Sequence, residues 1–136
     1  MKIQNVKQIF YAKLEEAARD YGVIPEMEGA LPALCQEKLR LRCSFRNFSM
    51  NPVSDSEFLL SGEVTAEILN VPGKMESADG LCARVIQIFS PEQGELQNGD
   101  YRILISSVVL LELKEEGKYQ RSGVSFQITV WGDYDS

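Results

Sequence analysis

The side chains of this 136-residue chain that could carry acid–base, metal or nucleophilic chemistry are 20 Asp and Glu and three Cys, with no His to work beside them. Without an imidazole the commonest general base and metal ligand is missing, and Ser-His-Asp, Cys-His and H-E-x-x-H chemistry goes with it. Carboxylate pairs, Ser-Lys sites and Lys nucleophiles remain in principle. The acids, however, are scattered along solvent-facing positions of every element drawn below, and we read them as solvation. Cys35, Cys43 and Cys82 are odd in number and form no C-x-x-C, so neither a disulfide framework nor a zinc site is indicated. Small buried thiols in a reducing compartment are the simpler reading. The expectation is a chain with no catalytic residue, no cofactor and no metal.

Composition narrows the partners. A net charge of −6 and a pI near 4.7 argue against a main task of gripping phosphate backbones, because that affinity comes from clustered Lys and Arg that release counterions. At 44% hydrophobic the chain fits one globular domain with a single core. No apolar run approaches the roughly 18–20 residues needed to span a bilayer, and Met1-Lys-Ile-Gln-Asn-Val-Lys-Gln8 lacks the apolar stretch of a signal peptide. A cytosolic starting point is expected.

The elements follow from hydrophobic periodicity. Ile3, Val6, Phe10, Leu14, Ala17 and Tyr21 recur at steps of three and four, which predicts an amphipathic helix from Lys2 to Tyr21 stopped by Gly22. Val23 to Gln36, broken by Pro25, Gly29 and Pro32, reads as an irregular connection. Glu37 to Phe45 alternates Leu39, Leu41, Cys43 and Phe45 against Lys38, Arg40, Arg42 and Ser44, the period of a strand. Phe58 to Val71 alternates in the same way. A hairpin register that sets Lys38 against Glu67, Arg42 against Glu63, Leu41 against Val64 and Phe45 against Leu60 satisfies charge on one face and the core on the other. It also gives the basic face carboxylate partners, the alternative to an anion site.

Lys74 to Phe89 predicts a second amphipathic helix burying Met75, Ala78, Cys82, Val85 and Phe89, with Gly80 marking a close approach to the sheet or to the first helix. A short Glu95–Gln97 segment pairs through Asn98-Gly99 with the next strand, Tyr101 to Lys114. Apolar residues on both faces from Val108 to Leu111 imply a central strand or one covered by another subunit. A turn at Glu115 to Lys118 leads into the last strand, where Val124, Phe126, Ile128 and Val130 alternate with Ser125, Gln127, Thr129 and Trp131. The order is helix, hairpin, helix, hairpin: an α+β domain with a largely antiparallel or a mixed sheet and two helices on one face. Between the strands of the first hairpin, Asn47 to Ser56 is long for a hairpin loop and carries Phe48, Met50 and Val53, which either fold back over the domain or order against a partner.

In order, length and pattern the chain resembles the tail terminator, or tail-completion, proteins of long-tailed bacteriophages and phage-like injection machines. The resemblance rests on Val6-Lys-Gln-Ile-Phe-Tyr-Ala-Lys-Leu14, Leu60-Ser-Gly-Glu-Val-Thr-Ala-Glu-Ile68, Ala78-Asp-Gly-Leu-Cys-Ala-Arg-Val-Ile86 and Tyr119-Gln-Arg-Ser-Gly-Val-Ser-Phe-Gln-Ile-Thr-Val130, and covers nearly the whole chain. Val23–Gln36 and Asn47–Ser56 depart from it. It implies a non-catalytic subunit of a homo-oligomeric, generally hexameric ring at the head-proximal end of the virion tail, assembled in the bacterial cytoplasm. Such a ring caps the tail tube protein, stops its polymerisation and joins the head through a neck connector protein. An acidic lumen would let DNA pass without sticking. The contact residues expected are Phe48, Met50, Val53, Val108, Leu110, Trp131 and Tyr134. Another neck, connector or tube component, and more distantly a small α+β enzyme or ligand-binding module, remain alternatives, because unrelated functions share such sheets.

Overall fold

In the computed structural model, residues 3–27, 39–71, 75–89, 96–98 and 101–133 are described. The first helix, α1, spans Ile3–Ala18 and tightens into a 3₁₀ turn over Arg19–Tyr21. Val6, Phe10, Leu14, Ala17 and Ala18 are its buried stripe. Gly22 ends it in the left-handed conformation at φ 65°, its amide donating to the Arg19 carbonyl, the stop its position implied. The second helix, α2, runs Met75–Ile88. Ala78, Leu81, Val85 and Ile88 are buried, Phe89 just past its end is buried too, and Cys82 is only half-covered. Its close approach is to the end of α1: a Cβ on Gly80 would lie 2.5 Å from the Tyr21 hydroxyl.

The strands are β1 (Arg40–Pro52), β2 (Glu57–Asn70), β3 (Leu96–Asn98), β4 (Tyr101–Leu110), β5 (Lys114–Glu116) and β6 (Tyr119–Asp133). They form one antiparallel sheet in the order β1-β2-β6-β4-β3, with β5 paired to β6. The architecture is therefore α+β. Phe10 of α1 meets Phe45 at 6.3 Å between ring centroids, and Phe89 meets Phe126 at 5.0 Å. Phe45 and Phe126 stand on either side of Val64 across two ladders, so both helices rest on the same face. The alternation expected of β6 holds, with Val124, Phe126, Ile128 and Val130 all buried.

The first hairpin pairs in a different register from the one its charges suggested. Arg42 faces Glu67 rather than Glu63, Leu41 faces Ile68 rather than Val64, and Phe45 faces Val64 rather than Leu60. Lys38 lies outside the described residues. The slide along β2 is four residues, an even number, so every side chain keeps its face and both alternations are still satisfied. What decides between the two registers is the turn. The strands continue to Pro52 and from Glu57, and the ten-residue loop is reduced to Val53–Ser56, where the Val53 and Ser54 amides donate to the Glu57 carbonyl at 3.0 and 3.2 Å. The Ser54 hydroxyl accepts from the Glu57 amide at 3.1 Å, the local side-chain bond that favours Ser in turns. One extra residue is absorbed by a bulge between Arg46 and Ser49, where Asn47 takes φ 56°, a left-handed conformation that Asn tolerates better than most residues.

The second ribbon also differs. β4 stops at Leu110, its register shifts between Ile105 and Ser107, and β5 forms a separate short pairing with β6. β3 covers only Tyr101–Ile103, so β4 is not a central strand: among the described residues its outer side is unpaired from Leu104 onward. The pairing segment is Leu96–Asn98 rather than Glu95–Gln97. The turns at residues 72–74 and 99–100 lie outside the described residues.

Phe48 returns from the bulge onto its own sheet, 5.7 Å from Phe45 and in the space that a Cβ on Gly62 would occupy. Gly62→Ala should therefore overpack the site and cost about 1–3 kcal/mol in urea denaturation. In a Phe48→Ala background the same change should cost much less. Equal costs in both backgrounds would show that the ring does not depend on that space.

Candidate functional site

The outer face of the sheet, opposite the helices, carries a lattice of ion pairs. Glu26 lies alongside β1 in an isolated parallel bridge with Arg42, its amide donating to the Leu41 carbonyl at 2.7 Å and its carbonyl accepting from the Cys43 amide at 2.8 Å. That places its carboxylate against Arg40, which donates from Nε at 2.8 Å and Nη2 at 2.6 Å, the bidentate geometry that makes Arg–carboxylate pairs strong. The hydrogen bond to Glu26 outweighs burial and holds the Arg40 guanidinium well above its ordinary value. Tyr119 backs it, with its ring 5.4 Å from the guanidinium carbon. Arg42 reaches Glu67 at 3.1 Å and Glu116 at 3.0 Å, and Arg121 shares Glu67 at 3.2 Å. Burial works to lower the Arg42 value, but the two carboxylates more than offset it.

Arg40 and Arg42 are thus neutralised, but not in the expected pairing with Glu63. Glu63 instead accepts from the Ser125 hydroxyl at 2.6 Å. Glu26 and Glu116 were absent from the sequence argument because the one comes from the weakly patterned stretch after α1 and the other from a turn that folds back. No local period signals either. Among the described residues no three His, Cys, Asp or Glu side chains are grouped to hold a metal ion, and no described helix is long and apolar enough to cross a membrane. Burial, then the nearby Asp79, pushes the Cys82 thiol up. A cleft of about 230 Å³ opens at the far end of the sheet between Glu57, Arg102, Trp131, Gly132 and Asp133. It is smaller than the roughly 300–1,000 Å³ common for small-molecule sites.

The residues expected to contact partners fall into two sets. Met50 is 39% exposed, Val53 54% and Leu110 66%, so these are surface groups. Phe48 and Val108 are half-buried against the core, and Trp131 is half-buried beneath Arg102, whose guanidinium carbon lies 5.6 Å from the ring centroid. Tyr134 lies outside the described residues. Sequence reasoning did not single out Val109 and Leu113, which are 57% and 55% exposed. They belonged to an apolar run whose density masked which members face solvent. Exposed large apolar side chains among the described residues thus gather at the β1–β2 hairpin tip and along and just beyond β4, with Tyr21 and Ile24 exposed separately after α1.

Two measurements test the electrostatics. Glu67→Gln removes the carboxylate shared by Arg42 and Arg121 and should cost about 1–3 kcal/mol in urea unfolding, the range for a hydrogen-bonded charged group left unpaired. Glu116→Gln, at the exposed rim, should cost about 0–1 kcal/mol. The opposite order would contradict the lattice. Cys82, held protonated, should react with iodoacetamide at mildly alkaline pH more slowly than a free thiol in the same buffer. An equal rate would contradict its burial.

No family model and no curated protein matches the chain. Among solved structures 26 chains match. One of them, a protein whose name states no activity, is similar over 96% of both chains at a TM-score of 0.69 and 14% identity. At that identity the likeness shows the fold alone.

Proposed function

We propose that this chain is a tail-terminator subunit: a single-domain helix-hairpin-helix-hairpin unit, elaborated by β3 and β5, that closes into a homo-oligomeric, hexameric ring. The ring caps a phage tail tube at its head-proximal end and offers the surface that a neck connector joins. The observation that carries the reading is the distribution of exposed apolar groups. Met50 and Val53 sit on the hairpin of the β1 edge, while Leu104, Val109, Leu110 and Leu113 sit on or just beyond β4 towards the other edge. Apolar surface on two opposite edges suits a head-to-tail contact repeated by rotation, and such a contact closes into a ring. On the outer face Arg40, Arg42 and Arg121 are already held by carboxylates, which leaves them little affinity for phosphate, and the net charge of −6 lets DNA pass. No acid–base constellation among the described residues competes with this structural role.

Met50→Ser with Val53→Ser is the test, since both side chains are exposed and the fold should survive, as circular dichroism would check. Phe48 is left intact because it packs on the chain's own core. Particles carrying the double variant should show overlong or headless tails by electron microscopy, with labelled wild-type protein at the head-proximal end. Normal tail length and normal head joining would sink the hairpin's role, and a label along the tube or in the neck would favour the tube- or connector-component reading instead.

A further inference from the structure

The two edges of the sheet are not equally open. Along β1, the Glu26 segment already occupies the Leu41 carbonyl and the Cys43 amide, the Asn47 bulge kinks the strand, and Pro52 lacks an amide to donate. These are the devices that keep an edge from pairing with another chain. β4 has one such device, the register shift at Ser106, and beyond it Ser107-Val108-Val109-Leu110 contains no charge and no proline. The Leu111 amide donates to the Gly123 carbonyl at 2.9 Å, so Leu111, and by alternation Val109, turn their backbone groups toward β6. Val108 and Leu110 therefore turn theirs outward. Among the described residues nothing pairs with them, and apolar side chains flank them on both faces of the sheet.

Another extended backbone can replace water along such a row, and one with apolar side chains on both faces would cover its neighbours as well. Among the described strands, β4 itself meets that demand, whereas the backbone of the opposite edge is partly occupied by the Glu26 segment and kinked by the bulge. We propose that, in the free protein, β4 pairs antiparallel with β4 of a second copy across a two-fold axis, with Val109 opposite the partner's Val109 and Val108 opposite the partner's Leu110. Val108 and Leu110 then cover each other on the helix side of the joined sheet, and the two Val109 side chains meet on the outer side. This pairing does not require the terminator reading. If the chain also forms rings, the pairing must open first, because one edge cannot serve a two-fold and a rotary contact at once. The self-paired dimer would then keep an aggregation-prone edge covered until a tube end competes for it.

Sedimentation of the purified full chain should show a concentration-dependent monomer–dimer equilibrium. Val109→Lys, at an exposed position, should be monomeric with an unchanged circular dichroism spectrum, and Leu110→Lys should behave alike. A non-hydrogen-bonded antiparallel pair brings Cα atoms to about 4.5 Å, within disulfide reach. Val109→Cys should therefore form a covalent dimer with itself under mild oxidation that wild-type chain treated alike does not form. A wild-type chain that stays monomeric at every concentration would overturn the pairing. So would dimers that survive Val109→Lys while the Val109→Cys chain gives no crosslink with itself. Dimers behaving as described on a protein whose deletion leaves tails normal would retain the pairing and remove the terminator reading. A capping ring without such dimers would do the reverse.

Discussion

A continuous path of phenylalanine rings holds the two layers of this fold together. Phe48 contacts Phe45, Phe45 contacts Phe10, Phe10 stacks on Phe89 and Phe89 tilts against Phe126, with centroid separations from 5.0 to 6.3 Å. The path leads from the β1 bulge through α1 and the end of α2 to β6. Each such pair contributes about 0.5–1.5 kcal/mol beyond the area it buries, and the order of the rings fixes where each helix sits on the sheet. The path also depends on absent side chains. Gly62 leaves room for Phe48, while Gly123, at φ 133°, allows β6 to press against β2 where any Cβ would run into the Ala66 carbonyl. A residue with a Cβ at 123 would be strained in its backbone and blocked in space alike.

The periodic parts of this architecture were legible in the sequence and the parts set by turns were not. β6 buries the face its spacing predicted, and α1 and α2 do so at Val6, Phe10, Leu14, Ala17, Ala78, Val85 and Phe89, whereas Tyr21 is exposed and Cys82 only half-covered. The hairpin register was not fixed by its pattern, since a slide of four residues from Glu63 to Glu67 preserves both faces. Ser54 selected the turn, and that choice is a local hydrogen bond with no period. Of the two readings of β4, the central strand fails for a related reason. A run that is apolar on both sides is the signature both of a strand buried between neighbours and of one awaiting a neighbour, and its actual neighbours, β6 throughout and β3 at one end, are set by pairings that its own pattern does not encode. Of the candidate contact residues, Met50, Val53 and Leu110 are exposed, whereas Phe48 was indistinguishable from them in sequence because its role depends on Gly62, on the neighbouring strand.

The distribution of charge explains why contacts should fall at edges. The inner face is covered by both helices, and the outer face is closed by Arg40, Arg42 and Arg121, each engaged by a carboxylate. A partner docking on that outer face would have to break partly buried ion pairs, and removing one member of such a pair leaves a charge that burial penalises. The edges carry no comparable penalty. At β4 a partner strand satisfies backbone groups that otherwise depend on water, and it removes apolar side chains from solvent in the same step.

That arrangement also bears on what the ion pairs of the outer face contribute. Exposed pairs stabilise little, and even the better-covered ones compete with their own desolvation, so the lattice is a weak source of net stability. Its stronger effect is on specificity. Glu26 engages Arg40 through its side chain and occupies Leu41 and Cys43 of the β1 edge through its backbone, so one residue both neutralises a cation of the outer face and covers part of that edge. With Leu41 and Cys43 of the β1 edge taken by Glu26, the outer side of β4 beyond Ile103 is the more open of the two edges among the described residues, and strand pairing with another chain would meet the least resistance there.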